Sequence, residues 1–186
     1  MASITHTAPT SMARDAFVRT MRRVASSVAV VATDGPAGCH GATVSAFSSV
    51  SADPPMILVC LRSGSRIAEA VAANGNLCVN VLPNDRHDLA NRFAGRDDHL
   101  VEDRFSGVDY FEVEGAAPEI DGATVFSGSV AQIVAAGSHS IFICHVLSVR
   151  EGTAAPLAYL DGNYHSVVPH VTPLSSEESR PGKTPR

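Results

Sequence analysis

Between residues 60 and 66 the chain reads C-L-R-S-G-S-R, which sets the guanidinium groups of Arg62 and Arg66 beside the hydroxyls of Ser63 and Ser65. Where a strand end runs into a helix N-terminus, free N–H groups, hydroxyls and a planar guanidinium together make a phosphate cradle. The same residues also suit a solvated capping loop. Just upstream, Gly41 to Pro55 reads G-A-T-V-S-A-F-S-S-V-S-A-D-P-P. A plain sheet core uses larger aliphatics, whereas Gly41, Ala42, Ser45 and Ala46 leave backbone N–H and C=O groups within reach of a flat ligand. An isoalloxazine ring needs such a slot for its faces and hydrogen bonds for its polar edge. A tightly packed strand, with its hydroxyls bonded to neighbouring backbone, has the same composition. Arg92–Phe93 could add a cation and an aromatic edge, or could be a surface arginine beside a core phenylalanine.

Other chemistries find less support. Cys60 and Cys78 sit inside apolar runs, where burial raises a thiol's pKa and blunts it as a nucleophile. The eight histidines are scattered; His139 and His145 could share a strand face, but no third metal ligand accompanies them. No G-x-G-x-x-G follows a strand, and the glycines at 35, 38 and 41 fall in a turn. The phosphate loop G-x-x-x-x-G-K-[ST], the nucleophile elbow G-x-S-x-G and the zinc motif H-E-x-x-H are all missing.

The elements that must position these residues follow from periodicity. Phe17, Val18, Met21 and Val24 have helical spacing within Arg14–Ala25. V-A-V-V-A-T reads as a buried strand closed by D-G-P-A-G, and Gly41–Ser51 as one strand with an accessible face. Met56–Leu61 and Leu77–Leu82 are further strands. Ser65 caps a helix over Arg66–Ala73 that stops at Asn74–Gly75, and Asn84 caps a second over Asp85–Phe93 that ends at Gly95. Val125–Ala135 and Ser140–Arg150 read as long antiparallel strands, and Tyr159–Val168 closes the sheet across D-G-N. Strands outnumber helices and do not alternate with them, so a small barrel without open edges fits better than a doubly wound sheet. Residues 1–12 and 169–186 are polar and aperiodic and read as tails, leaving one domain over 13–168.

Composition bounds the rest. The chain has 186 residues, of which 45% are hydrophobic, enough for a core of its own. Fourteen Lys+Arg against nineteen Asp+Glu give a net charge of −5 with no basic block, which argues against nucleic acid. The longest apolar runs fall far short of the roughly 20 residues of a membrane span. Four widely spaced cysteines and the lack of a secretory signal pattern point to reduced, mostly buried thiols in the cytoplasm.

Several stretches also resemble the flavin reductase-like family, the NAD(P)H:flavin oxidoreductases that supply reduced flavin to two-component monooxygenases. They are F-V-R-T-M-R-R-V-A-S-S-V-A-V-V-A-T, H-G-A-T-V-S-A-F-S-S-V-S-A-D-P-P-M-I-L-V-C-L, L-C-V-N-V-L, L-A-N-R-F-A, D-R-F-S-G-V-D-Y, A-G-S-H-S-I-F-I-C-H-V and Y-L-D-G-N-Y-H-S-V. T-D-G-P-A-G and G-S-H look most like the pyrimidine-degradation branch. The resemblance implies a mainly β split barrel with a few short helices, forming a homodimer that binds FMN or FAD near its interface. By motif, Thr43, Val44, Ser45 and Ala46 would line the isoalloxazine. Cys60, Leu61 and Arg62 would touch the flavin, and Ser65 and Arg66 its phosphate. Arg92 and Phe93 match the family's R-F pair beside the flavin. His139 matches the histidine of the family's G-D-H and Tyr164 the aromatic of Y-x-x-G-x-Y, both on the NADH or NADPH side. Two departures stand out: Ser138 replaces the acidic residue of G-D-H, and Ala25-Ser26-Ser27 stands where many members have A-T-G. The implied activity is hydride transfer from NADH or NADPH to FMN or FAD, with reduced flavin diffusing to a separate oxygenase. A non-enzymatic flavin-binding electron carrier, or a binding module for another apolar ligand, would use the same barrel.

Overall fold

The run Ala29–Thr33 lacks polar alternation because both of its faces are covered. Val28, Val30 and Ala32 belong to one core cluster, while Ala29 and Val31 belong to another. The computed structural model describes residues 11–170 apart from 102, 113 and 114. The tail segments 1–10 and 171–186 lie outside the described residues, and Ser11 and Met12, expected in a tail, open the first helix.

The elements are α1 (Ser11–Met21), β1 (Ser26–Ser27), β2 (Ala29–Thr33), β3 (His40–Val44), β4 (Phe47–Ala52), β5 (Pro55–Arg62), α2 (Arg66–Asn74), β6 (Asn76–Val81), α3 (His87–Phe93), β7 (Tyr110–Phe111), β8 (Glu119–Ile120), β9 (Thr124–Ala136), β10 (His139–Arg150), β11 (Leu157–Leu160) and β12 (Asn163–Ser166). Seven strands form one antiparallel sheet in the order β3-β2-β6-β9-β10-β5-β4. β2 and β5 stand four places apart in that order, about 19 Å if the sheet were flat. Yet their side chains meet in one cluster with Ile67, Ala68 and Val71 of α2, so the sheet curls around that helix. The outer face of β2 and β6 carries the second cluster, built with Phe93 of α3, Phe105, Ile120 and Leu157.

Three expectations are corrected. The span Gly41–Ser51 is two strands, β3 and β4, which occupy opposite edges of the sheet and are joined only by Ser45 and Ala46. No ladder joins β3 to β4 among the described residues, so the chain itself, and not a hydrogen-bonded closure, spans the gap. The last hairpin does not close this sheet. β11 and β12 form a three-stranded sheet with β1, because the chain changes partner at Val28, whose N–H donates to Leu157 O. The second helix begins at His87, after a turn in which Arg86 N donates to Pro83 O and Asn84 N to Ala155 O, and its N-cap position has no side-chain cap. α2 follows expectation closely: the Ser65 hydroxyl accepts from Ala68 N, and Gly75 ends the helix at φ +73°. α1 is helical too, but Phe17, Val18 and Met21 are exposed rather than packed on the sheet.

Candidate functional site

A cavity of about 610 Å³ opens between the start of β3, the N-terminus of α2 and residues 98–105. Ser65 and Arg66 line it. Ser65 Oγ donates to Arg62 O at 2.7 Å and accepts from Ala68 N, so the hydroxyl that caps the helix also sets the preceding turn. The first turn of α2 thus aims its free N–H groups and one guanidinium at the same space.

The seam between β3 and β4 lies at the other end of β3, and Ser45 and Ala46 are not among the residues lining the cavity. Ala46 O accepts from Cys60 N at 2.9 Å, which ties residues 43–46 to the end of β5. Ser45 and Ala46 are exposed. Thr43 Oγ donates to Ala90 O at 2.7 Å, so its hydroxyl holds α3 and is not free for a ligand. Val44 packs on the inner cluster. Leu61 is fully buried, leaving only its backbone to face a ligand, whereas Cys60 is half-buried and Arg62 exposed.

His139 opens β10 directly across from Arg62. Ser138 Oγ lies 3.0 Å from His139 Nδ1, and Ser63 N donates to Ser138 O. Ser63 Oγ meets Ser140 Oγ at 3.1 Å. The imidazole is exposed, with its Nδ1 side engaged by the hydroxyl. His145 lies further along the same outer face, and no group of three metal-ligating side chains occurs among the described residues.

Phe93 is a core residue. It is 1% exposed, in edge contact with Phe105 at 4.8 Å between centroids. It also explains Gly41, where a Cβ would fall 2.6 Å from Phe93 Cε1 and 3.0 Å from Phe105 Cζ. The glycine therefore admits two aromatic rings beneath the strand, which favours the tightly packed strand of the two readings its composition allows. Arg92 is half-buried and donates to Ser106 O at 2.6 Å. Tyr164 belongs to the three-stranded sheet, where its hydroxyl donates to Asn91 Oδ1 at 3.0 Å and its ring meets Tyr159. Burial, with a smaller push from Tyr159, raises its phenol despite nearby Arg96.

Two residues without an assigned role in the sequence complete the cavity wall. Arg104 binds Asp98 and also donates to the carbonyls of Gly41 and Phe93. Only the D-R-F triplet inside a longer motif marks Arg104 in the sequence, and Asp98 carries no mark. Cys39, at the cavity rim, is exposed, against the expectation of buried thiols. Its thiol is still pushed up to about 11, first by partial desolvation and then by Asp34, Asp103 and Glu112. Burial pushes Cys78 and Cys144 up to about 12, so these three thiols are poor nucleophiles at neutral pH.

The curled antiparallel sheet, its seam and the arginine-lined cavity define a class that comparison with known proteins identifies. A model described as the flavin reductase like domain matches residues 21–168, and the chain belongs to that family. A relative from Serratia proteamaculans named FMN reductase (NADH) RutF is 38% identical over 154 residues, covering 82% of this chain and 87% of its own. The solved structure of the flavin reductase PheA2 is 30% identical with a TM-score of 0.75, covering 83% of this chain and 98% of the other. The styrene monooxygenase flavin reductase of Pseudomonas putida S12 is 26% identical with a TM-score of 0.72, covering 83% and 99%.

Proposed function

We infer that this chain is an NAD(P)H-dependent flavin reductase that passes a hydride from NADH to FMN and releases the reduced flavin to a separate oxygenase. The observation that carries this reading is the family match over 21–168, with relatives named as NADH-dependent FMN reductases. The residues present fit a flavin: a cavity fronted by Ser65, Arg66 and a helix N-terminus opens at the start of β3, and the same strand ends in an exposed backbone seam at Ser45–Ala46.

Flavin and nicotinamide supply the hydride chemistry themselves. Arg66 and the first N–H groups of α2 bind the phosphate, and Ser65, whose hydroxyl is bonded to Arg62 O and Ala68 N, fixes the turn that presents them. The backbone of Thr43, Val44, Ser45 and Ala46, with that of Cys60 and Leu61, borders the ring, and Arg62 and Arg92 add positive charge at its rim. Phe93 supports this wall from beneath. His139, oriented by Ser138, positions the nicotinamide, and Tyr164 borders the cleft from the second sheet. Holding two rings at reacting distance can lower the barrier by about 7–11 kcal/mol, so positioning is the protein's main task.

The sheet is the split barrel of a homodimer in this reading. Phe17 and Met21 of α1, with Leu147 and Val149 of β10, are exposed apolar groups suited to burial against a second copy. The reaction belongs in the cytoplasm, where the free cysteines stay reduced; no helix among the described residues is long and apolar enough to cross a membrane.

The direct test follows NADH absorbance with purified protein and added FMN, FAD or riboflavin. Oxidation that requires added flavin and saturates with it is the expected result. Flavin binding without oxidation of NADH or NADPH would instead indicate an electron carrier.

A further inference from the structure

The segment that roofs the cavity is shaped around one ion pair. Arg104 grips Asp98 with two bonds, Nε to Oδ1 at 2.8 Å and Nη2 to Oδ2 at 2.7 Å. Such a planar fork fixes a carboxylate in orientation as well as distance. The third arm, Nη1, donates to Gly41 O at 3.2 Å and Phe93 O at 2.9 Å, which anchors the pair to the cavity wall. Gly95 makes room for it: at φ +80°, a Cβ there would stand 2.6 Å from Arg104 Nη2 and 3.0 Å from Asp98 Oδ2. Asp98 and Arg66 both line the cavity. The hydrogen bond from Arg104 chiefly lowers the Asp98 carboxyl's pKa, and the field of Arg66 adds to it, so the group stands as an anion facing a cation.

We propose that Asp98, held by Arg104, is a specificity residue that partly neutralises Arg66 and so keeps a flavin phosphate exchangeable. This rests on the reading of Arg66 as the phosphate ligand. A phosphate entering the cavity is drawn by Arg66, by Arg104, which also lines it, and by the α2 N-terminus. It is held back by the Asp98 carboxylate, which offsets these charges and which Arg104 keeps from swinging away. The repulsion acts alike on oxidised and reduced flavin, because the phosphate takes no part in the reaction. It weakens binding uniformly and speeds departure of a product that must leave. Riboflavin, which has no phosphate, is blind to it.

The experiment measures dissociation constants for FMN and riboflavin in the wild type and in Asp98→Asn, which keeps a carbonyl acceptor for Arg104. The variant should bind FMN roughly three- to tenfold more tightly, the scale of one partly screened charge, with riboflavin changed less than about twofold. KM for FMN should fall with it while kcat does not rise, and Asp98→Glu should leave FMN binding weak. If the wild type prefers FMN over riboflavin but Asp98→Asn binds FMN no better, the proposal is overturned and the phosphate reading stands. If the wild type binds the two alike, and Arg66→Ala changes neither, the phosphate reading fails and takes the proposal with it. Should Asp98→Asn not fold, Asp98→Ser carries the same comparison; failure of both to fold would make the pair purely structural and overturn the proposal.

Discussion

His139 and Gly41 illustrate two ways in which one residue serves this site. The Ser138 hydroxyl holds His139 at Nδ1 and leaves the other ring nitrogen as the available contact. Replacing His139 with alanine should raise KM for NADH by about tenfold, the worth of one hydrogen bond, with a smaller change in FMN dissociation. Steady-state kinetics beside flavin titration separates the two, and unchanged NADH kinetics would remove His139 from the role. Gly41 acts through packing. In Gly41→Ala the new methyl would overlap Phe93, which has no room to retreat at 1% exposure, and should cost about 1–3 kcal/mol in denaturant unfolding. The helix-capping chemistry of Ser65 was legible because its residue type and position carry the signal. The Asp98–Arg104 pair was not, since its meaning lies in carbonyls of residues 41 and 93, far away in sequence. Phe93 could be read either way, because only tertiary packing decides whether an aromatic lies beside a ligand or under the strand that meets it.

At the scale of elements, α2 links stability to binding. Its N-cap serine bonds both Arg62 O and Ala68 N, so the turn and the helix share one hydroxyl. Ser65→Ala should cost about 1 kcal/mol of unfolding free energy and weaken FMN more than riboflavin, readable from paired melts and titrations. Both boundaries of this helix were visible beforehand, in Ser65 and in Gly75. The start of α3 was misplaced because Asn84 resembles a cap while its N–H is engaged with Ala155 O. The long strands β9 and β10 were legible from their runs of β-branched residues. Their register shifts, between Ile143 and Cys144 and between Val146 and Ser148, were not, for a bulge leaves no mark in alternation this irregular. The break at Ser45–Ala46 escaped for a similar reason: residues 41–51 keep strand composition across it while changing the strand they pair with.

For the molecule as a whole, Phe17, Val18 and Met21, which give α1 its helical spacing, stay exposed among the described residues. Leu147 and Val149 are 74% and 65% exposed on β10, a state that the proposed association with a second copy would relieve. Leu147→Asp should weaken self-association roughly tenfold or more in sedimentation equilibrium by forcing a charge into that contact, while leaving the monomer folded. A wild type that sediments as a monomer at high concentration would defeat the dimer. A β-rich fold was legible from the ratio of strands to helices, but the separation of β1, β11 and β12 into a sheet of their own was not, because it depends on the threading together of residues 28, 82 and 157. The two-residue link between β3 and β4 has one further effect. Edge strands ordinarily slip most easily, since each is held on one side only. Here the two edges are a single length of chain. A slide of β3 along β2 by one side-chain repeat must drag β4 along β5 by the same amount, so neither edge can change register unless both ladders break together.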